Sequence, residues 1–195
     1  MTVSNETGTQ RGRYLYRTHE VRPFLYDATC TSTPAGIAAF KAAGGGALSV
    51  IDTKTGTTKV IAQRADWEAL DGLVWTPWGS LLFAEEAITA EVADPDVPKA
   101  TSGLVYELGI DRHDPTKSTG VKVLPQLGSL SHEGIELDRA GNVYVIDEDR
   151  RGSIYRFVPK VYGDLSDGQL QVLKVDSGKT GTAKWVNIDM AQAQV

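Results

Sequence analysis

Asp71-Gly72-Leu73-Val74-Trp75-Thr76-Pro77-Trp78-Gly79-Ser80-Leu81-Leu82-Phe83-Ala84-Glu85-Glu86 and Glu133-Gly134-Ile135-Glu136-Leu137-Asp138-Arg139-Ala140-Gly141-Asn142-Val143-Tyr144-Val145-Ile146-Asp147-Glu148 align without a gap at an offset of 62 residues. Each copy opens on an acid and a glycine, turns at a second glycine, runs into an apolar strand and closes on an acidic pair. Further along, Gly103-Leu104-Val105-Tyr106 matches Gly152-Ser153-Ile154-Tyr155, but the offset falls to 49. The first copy therefore carries a longer loop, 87–102, whose Pro95 and Pro98 suit an irregular excursion. Val121-Lys122-Val123-Leu124 and Leu170-Gln171-Val172-Leu173-Lys174-Val175 supply a fourth run in each copy. Four short strands joined by tight turns form the pattern of a β-propeller blade.

A partial copy precedes these two. Gly12-Arg13-Tyr14-Leu15-Tyr16-Arg17-Thr18-His19-Glu20 matches the turn glycine and second strand, and Ala47-Leu48-Ser49-Val50-Ile51-Asp52 with Thr58-Lys59-Val60-Ile61-Ala62 supplies an outer hairpin. The stretch 34–44, with a proline near its start and a glycine at its end, predicts a short helix between them. The expected fold is all-β: a single partial β-propeller domain over 1–195 with about three four-stranded blades. They comprise a blade part at 12–64 without its innermost strand, blades at 70–125 and 132–175, and the start of a next blade at 183–188. A β-sandwich built from similar hairpins is the alternative. Three blades fall short of the four to eight that close a ring, so further blades are expected from another chain or a longer polypeptide.

Composition narrows the function classes. The 195 residues hold 20 Lys+Arg against 25 Asp+Glu, a formal charge of -5 with the basic residues scattered, which argues against nucleic acid as a partner. The longest apolar runs, such as Leu81-Leu82-Phe83-Ala84, are strand-sized and far too short for a membrane-spanning helix. Cys30 is the only cysteine, so neither an intrachain disulfide nor a multi-cysteine zinc site forms. Met1-Thr2-Val3-Ser4-Asn5-Glu6-Thr7 shows no basic and apolar regions of a signal peptide, so the expectation is either a protein that is not exported or one whose signal peptide has been removed.

In an antiparallel hairpin, residues equidistant from the turn face one another. Counting out from Pro77-Trp78-Gly79 sets Asp71 opposite Glu85, with Glu86 adjacent; the repeat sets Glu133 opposite Asp147, with Glu148 adjacent. His19 and Glu20 fall at the corresponding place in the partial copy. Equivalent blade ends gather at one mouth of a propeller channel, so Glu20, Asp71, Glu85, Glu86, Glu133 and Glu148 form a candidate metal set, with His19, His132 and Asp147 as secondary candidates. Crowded carboxylates repel unless a cation sits among them, and Ca²⁺ takes six to eight oxygen ligands. Against this stands the plain reading in which single acids cap strand ends or pair with Arg17, Arg150 or Arg151. His132-Glu133-Gly134-Ile135-Glu136 lacks the second histidine of the HExxH zinc motif. Trp67, Trp75, Trp78 and Trp185 read as packing between blades, and His113 as a surface-turn residue.

Thr76-Pro77-Trp78-Gly79-Ser80 followed by Glu85-Glu86, with Ser131-His132-Glu133-Gly134 and the run from Tyr144 to Asp149 ending in Tyr155-Arg156-Phe157, resembles the PhoX-type alkaline phosphatase family. The likeness covers about half of the family domain. It implies a secreted bacterial β-propeller, periplasmic or extracellular, that hydrolyses phosphomonoesters with calcium and iron at the channel mouth. Glu85 and Glu86 fall on the family's paired glutamates, His19-Glu20 resembles its early His-Glu, and Glu133 and Glu148 lie in its later acidic segments. The resemblance also implies a cysteine, an iron ligand, six residues before the proline of the turn, where this chain has Asp71. A hard carboxylate in place of a soft thiolate favours calcium over iron. Two functions follow: a metal-dependent phosphatase acting on a small phosphorylated substrate, or a non-catalytic calcium-stabilised propeller serving as a binding or assembly module. No catalytic residue is assigned.

Overall fold

The computed structural model describes residues 1–23, 32–176 and 180–189; Cys30 lies outside them. The described strands are β1 (Thr2–Ser4), β2 (Tyr14–His19), β3 (Gly46–Asp52), β4 (Thr58–Arg64), β5 (Leu70–Trp75), β6 (Ser80–Glu85), β7 (Val105–Ile110), β8 (Ser118–Val123), β9 (His132–Leu137), β10 (Val143–Asp147), β11 (Ile154–Val161), β12 (Asp164–Val175) and β13 (Ala183–Asn187). They form three antiparallel sheets, β1-β2-β3-β4, β5-β6-β7-β8 and β9-β10-β11-β12-β13, each a meander in chain order. The fold is all-β, three successive blades of a partial propeller. The insertion in the first blade is the helix α1 (Pro34–Ala42), started by the Thr33 hydroxyl, which accepts from the Gly36 N–H at 3.2 Å.

The repeat fixes how the blades stack. Leu73, Leu81, Phe83 and Leu108 on one face of the second sheet pack against Tyr14, Tyr16, Leu48 and Val50 of the first. Their repeat equivalents Ile135, Val143, Val145 and Phe157 pack the third sheet against the opposite face of the second, onto Leu82, Ala84 and Val105. Each buried side chain of this size contributes about 1.5–3 kcal/mol. The same arithmetic carried one sheet further puts Tyr144, Ile146 and Ile154 where Leu82, Ala84 and Val105 stand, and there Ile146 and Ile154 are 46% and 42% exposed. The third sheet thus has an apolar face that no described sheet covers. Trp67 and Trp75 lie in the first interface, Trp78 packs at the second, and Trp185 sits on the outer face of the third sheet, edge-on to Tyr144.

Three expectations are corrected. The first blade begins before Gly12 and does have its inner strand: Thr2–Ser4 pairs with Leu15–Arg17. A single apolar residue, Val3, makes no apolar run, and the ladder of β2 recruits the segment. The turn equivalence is also one residue off, because Asn5 and Tyr14 hold the place of Thr76 and Ser80. Finally, 183–188 does not open a next blade. Ala183–Asn187 pairs with Gln171–Val175 as a fifth strand, since the long β12 leaves an outer edge for the returning chain.

A glycine repeats with the strands. At Gly103 an added Cβ would fall on the Glu85 carbonyl, and at its equivalent Gly152 on the Asp147 carbonyl. Both let the chain enter the third strand of its blade flush against the end of the second. Gly103→Ala and Gly152→Ala are each expected to lose about 2–4 kcal/mol in urea unfolding. The control Gly134→Ala, whose Cβ would first meet Ile146 Cδ1 at 3.9 Å, is expected to stay within about 0.5 kcal/mol.

Candidate metal centre

Near their turns both inner hairpins keep the register counted from the sequence, with Trp75 opposite Leu81 and Leu137 opposite Val143. At their far ends both slip by one residue. Leu70, not Asp71, pairs with Glu85, and His132, not Glu133, pairs with Asp147. The slip is a β-bulge, an extra residue on the inner strand that re-aims its side chains. In the second sheet it breaks the alternation, because Leu70 and Leu73, three residues apart, both enter the first core cluster, whereas in the third sheet His132 stands in the place of Leu70 and leaves no such mark.

The consequence is a separation of the acids. Asp71, Glu86 and Glu133, drawn from two sheets, each bring a carboxylate oxygen within 4.8 Å of the others, the first two half-buried and the third exposed. Glu148 stands beside Glu86; burial first, and then the Glu148 carboxyl, push Glu86 up to about 7, with Arg22 opposing. Arg22 joins the first blade to this group: its Nε donates to Glu20 Oε1 at 3.0 Å and its Nη2 to Glu86 Oε2 at 2.8 Å. The Met1 amine lies 3.7 Å from Asp71. Glu20, Glu86 and Glu148 occupy equivalent places after the second strand of successive blades. A donor set of carboxylate oxygens alone fits a hard cation. Three of the expected acids therefore converge directly, with Glu148 and Glu20 around them.

Glu85 is placed elsewhere. It points into the interface with the first sheet, 5% exposed, accepting N–H bonds from Glu68 at 3.0 Å and Leu104 at 3.1 Å and the Tyr106 hydroxyl at 3.1 Å. Burial pushes it up to about 8. Its repeat equivalent Asp147 likewise serves the backbone, its Oδ1 accepting from Ser131 and Asp149 N–H at 3.2 Å. His19 sets Nε2 2.8 Å from Ser49 Oγ, and His132 is fully buried with Nε2 3.3 Å from the Gly128 carbonyl and pushed down to about 4 by burial.

Two residues escaped the sequence reading. Arg22, rather than Arg17, Arg150 or Arg151, is the arginine that reaches the acids. Glu68, 4% exposed, accepts the N–H groups of Glu91 and Val92 at 2.6 and 2.7 Å and so fixes the start of the 87–102 loop beside Glu86. A cleft of about 230 Å³ lies between that loop, Arg22, Glu86 and Glu148. Neither residue belongs to the repeat, and only the three-dimensional closure of the first blade on the second reveals them.

A family model described as "Alkaline phosphatase PhoX" matches residues 72–195. The match takes in Glu86, Glu133 and Glu148. No curated protein matches the chain.

The buried carboxyl of Glu85 makes stability depend on pH. The unfolded chain loses that proton near its ordinary value of 4.5 while the folded chain keeps it to about 8, so the folded state binds more protons in between. Its contribution is complete below pH 4.5 and lost as pH rises through 8. His132, neutral when buried, acts oppositely below 6.5. Unfolding free energy in the presence of EDTA is therefore expected to fall between about pH 6.5 and 8, and Glu85→Gln to flatten that decline, checked by urea titrations at several pH values.

Proposed function

We propose that this chain, which belongs to the PhoX alkaline phosphatase family, carries the calcium-binding acids of a metal-dependent phosphomonoester hydrolase. The observation behind this reading is the approach of Asp71, Glu86 and Glu133 to within 4.8 Å across two sheets. These three, with Glu148 and Glu20 around them, would hold Ca²⁺. Bound calcium would supply positive charge to neutralise a phosphate dianion and lower the pKa of an attacking water. Arg22 lines the adjoining cleft, where its guanidinium donates to Glu20 and to the carbonyl and carboxylate of Glu86 and so holds these acids in place. Glu68 holds the loop that walls the cleft, so the approach to the acids is fixed before substrate arrives. A periplasmic or extracellular setting, where weak calcium sites fill, suits this chemistry.

The exposed face around Tyr144, Ile146 and Ile154 favours a second reading, the calcium-stabilised assembly module. By the repeat, that face takes another sheet of the same kind, from a second chain or from a longer polypeptide. The two readings share the metal and differ in turnover.

Millimolar Ca²⁺ is expected to raise the thermal midpoint and EDTA to lower it, since a ligand bound only by the folded state stabilises by about 2.7 kcal/mol at a hundredfold excess over Kd. Glu86→Gln and Glu133→Gln should each remove most of that shift. Elemental analysis after dialysis should find calcium; stoichiometric iron without calcium would contradict the assignment. Calcium-dependent release of 4-nitrophenol from its phosphate supports the enzyme, whereas a calcium shift without turnover supports the module.

A further inference from the structure

A further cleft lies away from the acids. Its volume is about 570 Å³, and it opens at the turn end of the β5–β6 hairpin, between the 5–9 stretch, the Pro77-Trp78-Gly79 turn and the turn at 110–115. Five strand residues, roughly 16 Å, separate this end from the bulge. The volume is in the range of sites that take a small organic ligand.

Its walls combine flat apolar surface with very few unused polar groups. Trp75, Pro77, Trp78, Ile110 and Pro115 supply the apolar part. Both indoles are anchored: Trp75 Nε1 donates to Thr7 Oγ1 at 2.9 Å and Trp78 Nε1 to Glu107 Oε1 at 2.8 Å. The polar side chains of the lining are mostly committed to the protein itself. Asn5 donates to the Thr9 and Gln10 carbonyls and accepts from the Tyr14 N–H. Thr9 donates to the Arg112 carbonyl, and Asp111 Oδ1 accepts the His113 and Asp114 N–H groups. The exceptions are Asp111 Oδ2, which makes no hydrogen bond among the described residues, and the exposed Arg112 and His113, whose side chains make no hydrogen bond or salt bridge there, His113 being attracted electrostatically to Asp111.

That inventory selects the ligand chemistry. A sugar needs several free acceptors and donors across its face, and here few remain besides Asp111 Oδ2. An unpaired guanidinium and an imidazole at the rim of an aromatic wall instead suit an anionic group attached to a planar ring. We propose that this cleft is a second binding site, separate from the acid cluster, for a small planar-ring anion of nucleoside monophosphate size. The ring lies against Trp78 and Pro77, and the anion meets Arg112 and His113.

Tryptophan fluorescence of the full chain, titrated in EDTA with adenosine 5′-monophosphate and with 2-naphthoate, tests this. EDTA silences metal-dependent turnover and binding at the acids. Saturable quenching is expected with at least one of these anions, with adenosine, 2-naphthol and inorganic phosphate about tenfold weaker or worse. Arg112→Ala/His113→Ala, both exposed and checked for intact far-ultraviolet dichroism, should weaken binding by about tenfold or more. Glu86→Gln/Glu133→Gln should leave it unchanged. Absence of saturable quenching by both anions, equal affinity in Arg112→Ala/His113→Ala, or loss of binding in Glu86→Gln/Glu133→Gln overturns the proposal.

Discussion

One extra residue in each inner strand governs what the acid-rich end of this protein is able to do. Without the bulge, the ladder would lock Asp71 against Glu85 and Glu133 against Asp147, two separate pairs on two separate hairpins. With it, the paired positions pass to Leu70 and His132, and the displaced acids turn toward each other and toward Glu86. The residues that remain in the ladder, Glu85 and Asp147, spend their oxygens on backbone N–H groups at the strand ends. A local backbone irregularity thus sorts chemically identical side chains into structural carboxyls and candidate ligands. The sorting is the same in both copies because the bulge recurs at the same repeat position.

The stacking of sheets then sets the distance between the copies. A blade with apolar residues on both faces needs a neighbour on each side, and the second sheet has both, through clusters built on Phe83 and on Leu82. Because its bulge and that of the third sheet are held by the same packing equivalence, Asp71 and Glu133 are brought together by core contacts made by other residues. Arg22 adds the first blade, bridging Glu20 and Glu86 across the gap.

Much of this was legible in the sequence, and the failures have physical causes. The gapless repeat revealed the blade pattern, the register near the turns and the clustering of Asp71, Glu86 and Glu133 at one end. The bulge leaves only the odd spacing of Leu70 and Leu73 as a mark in one copy, and in the other His132 replaces Leu70, so the two copies do not report it together. Thr2–Ser4 was missed because a three-residue strand is selected by its partner's free edge rather than by its own composition. Glu85 and Glu86 are adjacent and chemically alike, and only the sheet's two faces tell them apart. Arg22 and Glu68 act through contacts between blades, which no local pattern encodes.

The 87–102 loop has a different standing from the strands around it. It is 13 residues longer than its counterpart, from the offsets of 62 and 49, and its described anchors are chiefly side chains: Glu68 to its start, Arg64 to Asp94, and Tyr106 to Asp94. A segment held by such clips rather than by a ladder is exchangeable, since its length and sequence can change while every sheet keeps its register. In the course of descent, the wall beside the acids is therefore the part of this fold that is freest to be rewritten.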